Sequence, residues 1–268
     1  PGPRALALGN AFVAVRDPLA AEYNPAALAG PAVAASYQAL PVEAVAGAAQ
    51  VVVPLGDHAL GASLRFLDYG EVAVLESGGD LPVGQPTGAV AGGGELSALL
   101  AGRVRLGPLQ LGVAGRWLRQ DVAGLTDDVV AADVGALLGV TGWLDVGASV
   151  QHLGPELAAG RSAPLPRTVR VGAAVRTHLS GVDVLVAAEA REREERRGAG
   201  VGLEIARRWD GVEAGLRLGL ETRPEPGDAF APLVVGGGVR LGRLGVELAW
   251  RALGPLGSTR QLGLRYRF

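Results

Sequence analysis

The sequence predicts an all-β protein: a closed antiparallel transmembrane β-barrel of about fourteen strands, preceded by a short N-terminal plug. Three observations support this fold class. Apolar residues alternate with polar or small ones in segment after segment, as in Leu144-Asp145-Val146-Gly147-Ala148. Turn residues separate these segments, which mostly have roughly 9 to 12 residues, the length of a tilted membrane strand. The apolar face is uniform, whereas the other face mixes glycine and alanine with charges of both signs.

Composition narrows the class of protein further. Hydrophobic residues make up 49% of the 268 residues but aromatic residues only 4%, and with 42 glycines much of the apolar content is small. The mean hydropathy is +0.27, yet no apolar run reaches the roughly 18 to 20 residues that a spanning helix needs. The absence of cysteine excludes disulfides and cysteine metal sites, and a net charge of −2 gives no electrostatic reason to expect nucleic acid binding.

The first predicted unit is the plug segment, residues 1–31, which does not alternate. Its turn motif consists of Asp17, Pro18, Asn24, Pro25 and Ala26. Asp17 and Pro18 predict a helix start, with the aspartate as N-cap and the proline at the first helical position. Pro25 disfavours helical geometry at Asn24, so we expect Asn24 to end this first turn and to hydrogen-bond the local backbone. Ala26 then belongs to a second short turn, and the whole segment is expected inside the barrel or across its periplasmic mouth.

Residues 32–268 form the second predicted unit, the transmembrane barrel. Alternation and turn residues predict strands near 32–40, 45–54, 58–68, 94–106, 108–119, 129–140, 142–153, 167–177, 180–192, 198–208, 211–222, 230–241, 243–253 and 257–268. Two inserts, residues 69–93 and 154–166, interrupt the hairpins and are expected to be long external loops. Gly92-Gly93-Gly94, in the first insert, indicates a bend or loop. A soluble sandwich would also alternate, but only closure pairs every backbone group in lipid.

Charged residues on the mixed face predict the interior of the barrel. The candidates singled out for the lumen are Arg65, Arg116, Asp133, Asp145, Glu213, Arg217 and Glu247. Acids and arginines occur there in comparable numbers, so we expect them to pair, to fill the interior and to leave no wide channel of a single charge sign. Arg4 or Arg16 of the plug segment is expected to pair with lumen acids such as Glu213 or Glu247.

Aromatic residues at strand ends predict how the barrel meets the membrane. Tyr266 and Phe268 lie on the lipid-facing side of the last strand, a pattern that resembles the C-terminal signal for assembly of outer-membrane barrels. The four tryptophans lie near predicted strand ends and are expected at the lipid interfaces; they are Trp117, Trp143, Trp209 and Trp250.

The sequence gives no sign of an enzyme. The three histidines, His58, His152 and His178, have no metal-ligand spacing. There is no nucleophile elbow and no phosphate-binding loop. We therefore predict no catalytic residue, no metal and no cofactor.

The N-terminal stretch RALALGNAFVAVRDPLAAEYNPAALAG (4–30) resembles the signature of the PorV/PorQ family of outer-membrane proteins, which is related to the FadL-type transporters. The resemblance continues in LGASLRFLDYGEV (60–72), LDVGASVQHLGP (144–155), PLPRTVRVGAAVR (164–176) and the C-terminal GLRYRF. It implies a FadL-like barrel of fourteen strands with an N-terminal plug. The chain departs from the family at Asn10, where a glycine is expected after Gly9, and it is short for a PorV, so its external loops are expected to be reduced.

Three functions remain open at this stage. The resemblance implies first an accessory or shuttle component associated with the type IX secretion translocon, with a larger translocon or envelope complex as partner. The second function is a FadL-like transporter of hydrophobic compounds, with a hydrophobic ligand as partner. The third is a structural barrel subunit of a larger envelope assembly. All three place the protein in the outer membrane of a Gram-negative bacterium, in contact with its lipid. Because the chain begins at Pro1 without methionine, we expect that a signal peptide has been removed.

Overall fold

A computed structural model describes residues 2–41, 43–76, 85–154, 166–194, 196–222, 233–254 and 257–268. The described chain forms a closed barrel of fourteen strands. Every strand pairs antiparallel with its neighbours in sequence, and β1 pairs with β14 to close the sheet, for example at Val33 and Tyr266. The predicted fold class, an all-β closed antiparallel barrel, is confirmed.

The barrel strands follow one another along the chain, and short helical elements precede the first of them. The strands are β1 (Ala32–Ala39), β2 (Val45–Leu55), β3 (His58–Glu76), β4 (Gln85–Leu106), β5 (Leu109–Val122), β6 (Leu125–Gly139), β7 (Leu144–Leu153), β8 (Thr168–Leu179), β9 (Val182–Arg193), β10 (Arg196–Trp209), β11 (Val212–Glu221), β12 (Leu233–Leu241), β13 (Leu244–Ala252) and β14 (Ser258–Tyr266). Before them come α1 (Pro3–Ala7) and two 3₁₀ turns, Ala20–Glu22 and Pro25–Ala27. No helix in the described ranges is long and apolar enough to cross a bilayer.

Alternation along each strand sorts side chains between the outer wall and the lumen. On β11, Leu216 and Leu220 face outward and are 75% and 50% exposed. Between them, the Arg217 side chain faces the lumen and is 9% exposed. The outer wall therefore offers apolar side chains to lipid, while charged side chains are kept inside.

The two ends of the barrel differ in their connections. At one end, which we call the short-turn end, neighbouring strands are joined by two residues at Gly56-Asp57, Gly107-Pro108, Ser180-Gly181, Asp210-Gly211 and Gly242-Arg243. The start of β1 and the end of β14 lie at the same end. We call the opposite end, which carries the longer connections, the long-loop end. Because bacterial barrels keep their short turns on the periplasmic side, the long-loop end corresponds to the cell exterior.

The predicted loop at residues 69–93 is wrong for most of its length. Strand β3 continues to Glu76 and β4 already begins at Gln85, so the two form a ribbon that includes the glycines at 92–94. The register shifts between Asp68 and Glu71, where Gly70 has a φ of 72°. Such an irregularity interrupts the alternation without ending the strand, which is why the pattern indicated a loop. Of the second predicted loop, residues 155–165 lie outside the described residues.

The N-terminal segment, residues 2–30, lies inside the barrel. Leu8, Val15 and Leu28 are fully buried there. The backbone of the segment lies directly against lumen-facing glycines of the wall: a Cβ on Gly112 would be 2.3 Å from the nitrogen of Ala26. The glycines at which an added Cβ would come within 3.0 Å of the segment are Gly112, Gly135, Gly147, Gly172, Gly200, Gly202, Gly219, Gly236 and Gly263. The segment, by its backbone at some of these glycines and by its side chains at others, fills the space that a side chain of the wall would need.

The helix start predicted at Asp17 and Pro18 is wrong. The first 3₁₀ turn begins later, at Ala20, with Leu19 at its N-cap position. Asp17 instead accepts a hydrogen bond from the Leu19 nitrogen at 2.8 Å and pairs with Leu28 in an isolated parallel β-bridge. The Asp17 carbonyl also accepts from the Ala20 nitrogen at 3.2 Å, so a non-helical turn at Asp17–Ala20 precedes the 3₁₀ turn. The helix α1 was not predicted, because five residues are too few to show a helical period.

The glycine contacts predict a difference between two glycines of the same strand. Gly112→Ala should loosen the N-terminal segment by about 1 to 3 kcal/mol, because the new methyl group overlaps the backbone of Ala26. Gly115→Ala on the outer wall should have no such effect, because nothing lies within 4 Å of its added Cβ. Limited proteolysis of the segment in the purified protein measures the difference. Equal cleavage of both variants would show that the close approach at Gly112 does not hold the segment.

Candidate functional site

One side of the lumen holds a closed ring of six alternating charges. Its members, in order around the ring, are Arg4, Asp17, Arg265, Glu247, Arg217 and Glu204. The first two belong to the N-terminal segment, and the other four come from β14, β13, β11 and β10. The ring has three positive and three negative members, so the buried charges neutralise one another. We call this arrangement the charge ring.

Each of the two segment members contacts two neighbours in the charge ring. Arg4 binds Glu204 through two nitrogens, Nε at 2.8 Å and Nη2 at 2.6 Å, and donates from Nη1 to Asp17 at 2.5 Å. Asp17 also accepts from Arg265 at 3.1 Å. Burial alone would raise the pKa of the Asp17 carboxyl, but the charges of Arg265 and Arg4 outweigh it and lower that pKa to about 2. Asp17 is therefore ionised at neutral pH.

The wall members are also paired with one another. Arg217 contacts Glu204 at 2.5 Å and Glu247 at 3.1 Å, and Glu247 receives a further contact from Arg265 at 3.3 Å. The four wall members form a row of ion pairs that does not depend on the segment. The segment only joins the two ends of this row, Glu204 and Arg265. The wall could therefore keep its internal pairs if the segment left.

A second ion cluster lies on the opposite side of the lumen around Glu22. Its carboxylate accepts from the Ser63 hydroxyl at 2.5 Å, from Arg116 at 3.1 Å and from Arg65 at 3.4 Å. Arg116 also contacts Asp133 at 3.2 Å. Burial would raise the pKa of Glu22, but the charges of Arg116 and Arg65 hold it well below its usual range.

Two further acids of the wall hold the middle of the N-terminal segment. Asp145 binds Arg16 through two contacts, at 2.9 and 2.6 Å, and also binds Arg176 at 2.5 Å. Glu189 accepts the backbone N–H groups of Phe12 and Val13, both at 2.9 Å. A carboxylate that satisfies two consecutive buried donors replaces the hydrogen bonds that this irregular backbone does not make to itself.

Asn24 joins the two halves of the segment to the wall. Its side-chain nitrogen donates to the carbonyl of Val13 at 2.8 Å and to that of Ala136 on β6 at 3.0 Å. Its side-chain oxygen accepts from the nitrogen of Ala26 at 3.0 Å, so that Asn24 caps the second 3₁₀ turn. Pro25 follows at the first position of that turn, where a missing N–H costs nothing. The side chain is fully buried and uses both donors and its acceptor.

Asn10 holds the side of the segment that faces the long-loop end. It adopts a φ of 56°, a conformation that asparagine tolerates better than most residues, which accounts for an asparagine where the resemblance leads to glycine. Its amide donates to Glu221 at 3.1 Å, and its oxygen accepts from the Tyr23 hydroxyl at 2.9 Å. The Tyr23 ring in turn lies 5.1 Å from the guanidinium carbon of Arg170.

A cavity of about 680 Å³ lies in the lumen on the long-loop side of the segment. Asn10, Glu22 and Tyr23 contribute to its lining from the segment. A smaller space of about 90 Å³ lies beside Arg4 and Glu213, towards the short-turn end. The N-terminal segment therefore separates two spaces of very different size.

The predicted lumen residues all have buried or partly buried side chains. Arg4 and Arg16 pair with lumen acids as expected, but with neither of the two acids named, Glu213 and Glu247. Arg4 pairs with Glu204, and Arg16 with Asp145. Glu213 lies near the short-turn end, where its ion pairs within the described residues are with Arg208 and Arg240. Sequence periodicity assigns a face of the sheet but no depth along the barrel axis, so it could not select among these acids.

Several residues that hold the segment were not singled out from the sequence. They are Asn10, Glu22, Arg170, Glu189, Glu204 and Arg265. The wall members follow the inward parity of their strands, which was the available signal. Glu22 carried a weaker one, as the only glutamate in an otherwise apolar segment.

The terminal aromatic residues face outward. Tyr266 ends β14 and is 43% exposed, and Phe268 is 49% exposed two residues beyond it. Their role as an assembly signal stays a prediction, as does the interfacial placement of the tryptophans. Among the described residues, no group of three or more acidic or histidine side chains is arranged to hold a metal ion.

Solved structures of outer-membrane barrels share this architecture. The toluene transporter TbuX of Ralstonia pickettii matches with a TM-score of 0.68 at 14% sequence identity, over 100% of this chain and 98% of that chain. The deltaS2S3 mutant of the monoaromatic hydrocarbon channel TodX gives 0.67 at 12% identity, over 100% and 99%. A FadL homologue from Pseudomonas aeruginosa gives 0.59 at 10% identity, over 96% and 95%. No family model and no curated protein sequence matches the chain.

The closed sheet and its apolar outer wall define a transmembrane β-barrel of the bacterial outer membrane. Within that class its fold is FadL-like, and the solved structures that share it include a toluene transporter and a monoaromatic hydrocarbon channel. At these low identities the likeness shows the fold alone. The narrower resemblance to the PorV/PorQ family finds no support in the comparisons and stays a prediction.

Asn24→Ala tests the junction between segment and wall. The substitution removes three hydrogen bonds at a fully buried site and should cost about 1 to 3 kcal/mol. We expect a looser segment and a higher ion conductance of the purified barrel in planar lipid bilayers. Thr126→Ala, which removes a hydrogen bond to Asp121 at an exposed turn, is the control. A variant as closed as the parent would show that Asn24 is dispensable for sealing.

The ionisation of Asp17 predicts how the segment responds to acid. Its pKa is lowered on folding, so its contribution to docking is present above the usual value of 3.8 and is lost as pH falls towards about 2. Protease cleavage of the segment in the barrel should therefore rise as the pH falls through this range. Asp17→Asn should be cleaved more readily already at pH 7 and should change less on acidification. An unchanged pH profile in that variant would remove Asp17 as the cause.

Proposed function

We propose that the protein is an outer-membrane channel for small, largely hydrophobic molecules, and that residues 2–30 are a plug that closes it in the conformation described. The observation that carries this proposal is the position of the segment between a cavity of about 680 Å³ and the short-turn end. A solute that enters the cavity from the long-loop end meets the plug before it can reach the other end. Closure by a detachable element is what a regulated channel needs.

The comparisons support the same function from an independent direction. The solved structures with this fold include a toluene transporter and a monoaromatic hydrocarbon channel, each matched over nearly its whole length. Because the identities are 14% and 12%, the likeness to these two proteins supports a class of function and no particular substrate. The fold is compatible with passage of hydrophobic molecules, and the plug supplies the gate.

An accessory role in type IX secretion, predicted from the PorV/PorQ resemblance, has no structural observation in its favour. The same is true of a purely structural subunit in a larger envelope assembly. Purification from detergent-solubilised outer membranes separates these alternatives from the channel. Stoichiometric co-purification of a much larger barrel would favour the accessory role over the channel.

Locking the plug tests the channel function directly. The chain has no cysteine, so a single engineered pair is unambiguous. Ala7→Cys with Ala249→Cys places one thiol on α1 and one on β13, within one buried cluster. In cells that express the oxidised pair, uptake of the hydrophobic fluorophore 1-N-phenylnaphthylamine should fall to the level of cells without the protein, and reductant should restore it.

The single-cysteine variants are the controls for this experiment, and both should take up the fluorophore as the parent does. Formation of the disulfide is checked by its effect on electrophoretic mobility. If the parent itself gives no uptake above the cells without the protein, the channel function is wrong. If the oxidised pair takes up the fluorophore as fast as the reduced pair, the segment is not the gate.

A further inference from the structure

Strands β3 and β4 rise beyond the rest of the barrel at the long-loop end. They have 19 and 22 residues, about twice the roughly 9 to 11 that cross a bilayer. β2 pairs with β3 only as far as Asp68, and β5 pairs with β4 only as far as Gly93. Residues 69–76 and 85–92 therefore form a two-stranded ribbon outside the membrane, and within the described chain no third strand pairs with either of its edges. We call it the outer ribbon.

The outer ribbon exposes apolar side chains to water. Leu75 is 53% exposed and Val90 is 62% exposed. Ala73 pairs with Val90, and alternation puts Leu75 on the same face as Ala73, so these three side chains form one apolar surface. An isolated two-stranded ribbon is only marginally stable in water, and an exposed apolar edge is a template for pairing with another chain. The outer ribbon thus has the character of a sheet that lacks a strand.

The two edges of the outer ribbon differ in their ability to accept a further strand. The β4 edge contains Pro86, which has no N–H group, and its residues 87–89 bulge opposite the single residue Val74. Proline and bulges are devices that keep other strands away from an edge. The β3 edge, residues 71–75, contains no proline, so each of its residues keeps an N–H group. The β3 edge is therefore the one that can pair.

Side chains at the base of the outer ribbon hold it in a fixed direction. The Tyr69 hydroxyl donates to the Glu95 carboxylate on β4. The side chain of Gln120 on β5 donates to both of these groups, at 3.3 Å each. The Asp68 carboxylate accepts from the Gly70 nitrogen at 2.9 Å, which fixes the chain where the register shifts. An edge that is held in one orientation binds a strand at a lower entropic cost than a mobile edge.

The charge around the β3 edge determines the chemistry of the strand that it accepts. The stretch from Phe66 to Gly102 contains five acidic residues and no basic one, in a chain whose net charge is only −2. Glu71 on the edge itself and Glu43 in the neighbouring turn between β1 and β2 are both exposed. A strand with basic side chains is attracted to this surface, whereas an acidic strand is repelled from it.

A second copy of this chain does not fit the β3 edge. Two barrels in one membrane have the same orientation, so their β3 edges could meet only as parallel strands. A two-fold axis along the membrane normal would turn the apolar faces of the two ribbons to opposite sides, so these faces would not join. The β4 edge of a second copy runs antiparallel to β3, but Pro86 and the bulge at 87–89 obstruct it. The occupant is therefore a segment of a different protein.

We propose that the β3 edge of the outer ribbon accepts an extended basic segment of another protein as an added antiparallel strand. The segment lies where β2 would continue, and main-chain hydrogen bonds to residues 71–75 supply the affinity. Leu75 and Glu71 lie on the same face, so the segment places an apolar residue opposite Leu75 and, four positions later, a basic residue opposite Glu71. The proposal does not depend on the channel function, because the outer ribbon lies outside the membrane and away from the plug.

Three peptides test the chemistry of the partner. They are TLTATRTR, its acidic counterpart TLTATETE, and TLTPPRTR, whose two prolines remove ladder donors while the leucine and the arginines stay in place. Each peptide carries a fluorescein label, and its binding to the full-length protein in nanodiscs of zwitterionic lipid is measured by fluorescence anisotropy, with empty nanodiscs as the blank. We expect TLTATRTR to bind at least about tenfold more tightly than either of the others.

Each contrary result with the peptides removes a defined part of the proposal. Absence of saturable binding of TLTATRTR would overturn the docking site. Equal binding of TLTPPRTR would show that the peptide is held by its charge alone and does not add a strand. Equal binding of TLTATETE would show that the acidic residues do not select the partner.

Reversal of one charge on the protein tests whether the peptide lies along the β3 edge. Glu71→Lys should weaken TLTATRTR about tenfold and strengthen TLTATETE, because the charge opposite the peptide has changed sign. Asp128→Lys is the matched control, since Asp128 is an exposed acid at the same end of the barrel but lies on β6. Equal affinities of both peptides for Glu71→Lys and the parent would place the peptide elsewhere and contradict the proposal.

Disulfide cross-links report the direction of the added strand. The chain has no cysteine, so Leu75→Cys provides a single thiol opposite the leucine of the peptide. We expect oxidation to join this variant to TCTATRTR and not to TLTATRTC. A cross-link to TLTATRTC alone would mean a parallel strand. Disulfide dimers of Leu75→Cys in outer membranes that excess TLTATRTR does not prevent would mean that a second copy covers the edge, and either result would overturn the proposal.

Discussion

Charges inside a lipid-embedded barrel have to be paired, and this constraint governs the interior of the protein. The charge ring satisfies it with six groups, none of whose side chains is more than 15% exposed. Removing one partner would leave a buried charge without compensation, which is far more costly than the pair is worth. Because Arg4 and Asp17 close the ring, the position of the N-terminal segment is fixed by the electrostatics of the wall as well as by packing.

The N-terminal segment can pack against the wall because glycines at the points of contact carry no side chain. A chain that is folded neither as strand nor as regular helix can lie against a sheet only where the sheet has no side chain. Gly135 leaves room for Asn24, whose oxygen would be 2.0 Å from an added Cβ. Gly219 does the same for the backbone of Gly9, at 2.2 Å. The wall donors and acceptors, among them Ala136 and Glu189, can then reach the segment directly.

The sequence predicted those parts of the structure that leave a periodic pattern of apolar and polar residues, and it did not predict the parts that leave none. Alternation of period two predicted the strands and the lumen face, because the face of each strand that meets lipid is apolar and the face that meets the lumen carries the charges. The ribbon beyond Asp68 was missed, since a register shift breaks the alternation but not the hydrogen bonding. Partners such as Arg4 and Glu204, which are 200 residues apart, could not be predicted, because one sequence gives neither the stagger of the strands nor the depth of the segment.

The N-terminal segment is electroneutral, which is compatible with firm binding to the wall and with its release. The segment contributes two arginines and two acids, Arg4, Arg16, Asp17 and Glu22, so its side chains carry no net charge. On the wall, Arg217 remains paired with Glu204 and Glu247, and Arg116 with Asp133. Separation of segment and wall would therefore exchange internal ion pairs for water without leaving the segment with an excess of one sign. A barrel whose wall needed the segment for neutrality could not release it without a large electrostatic cost, whereas here water alone can take the segment's place.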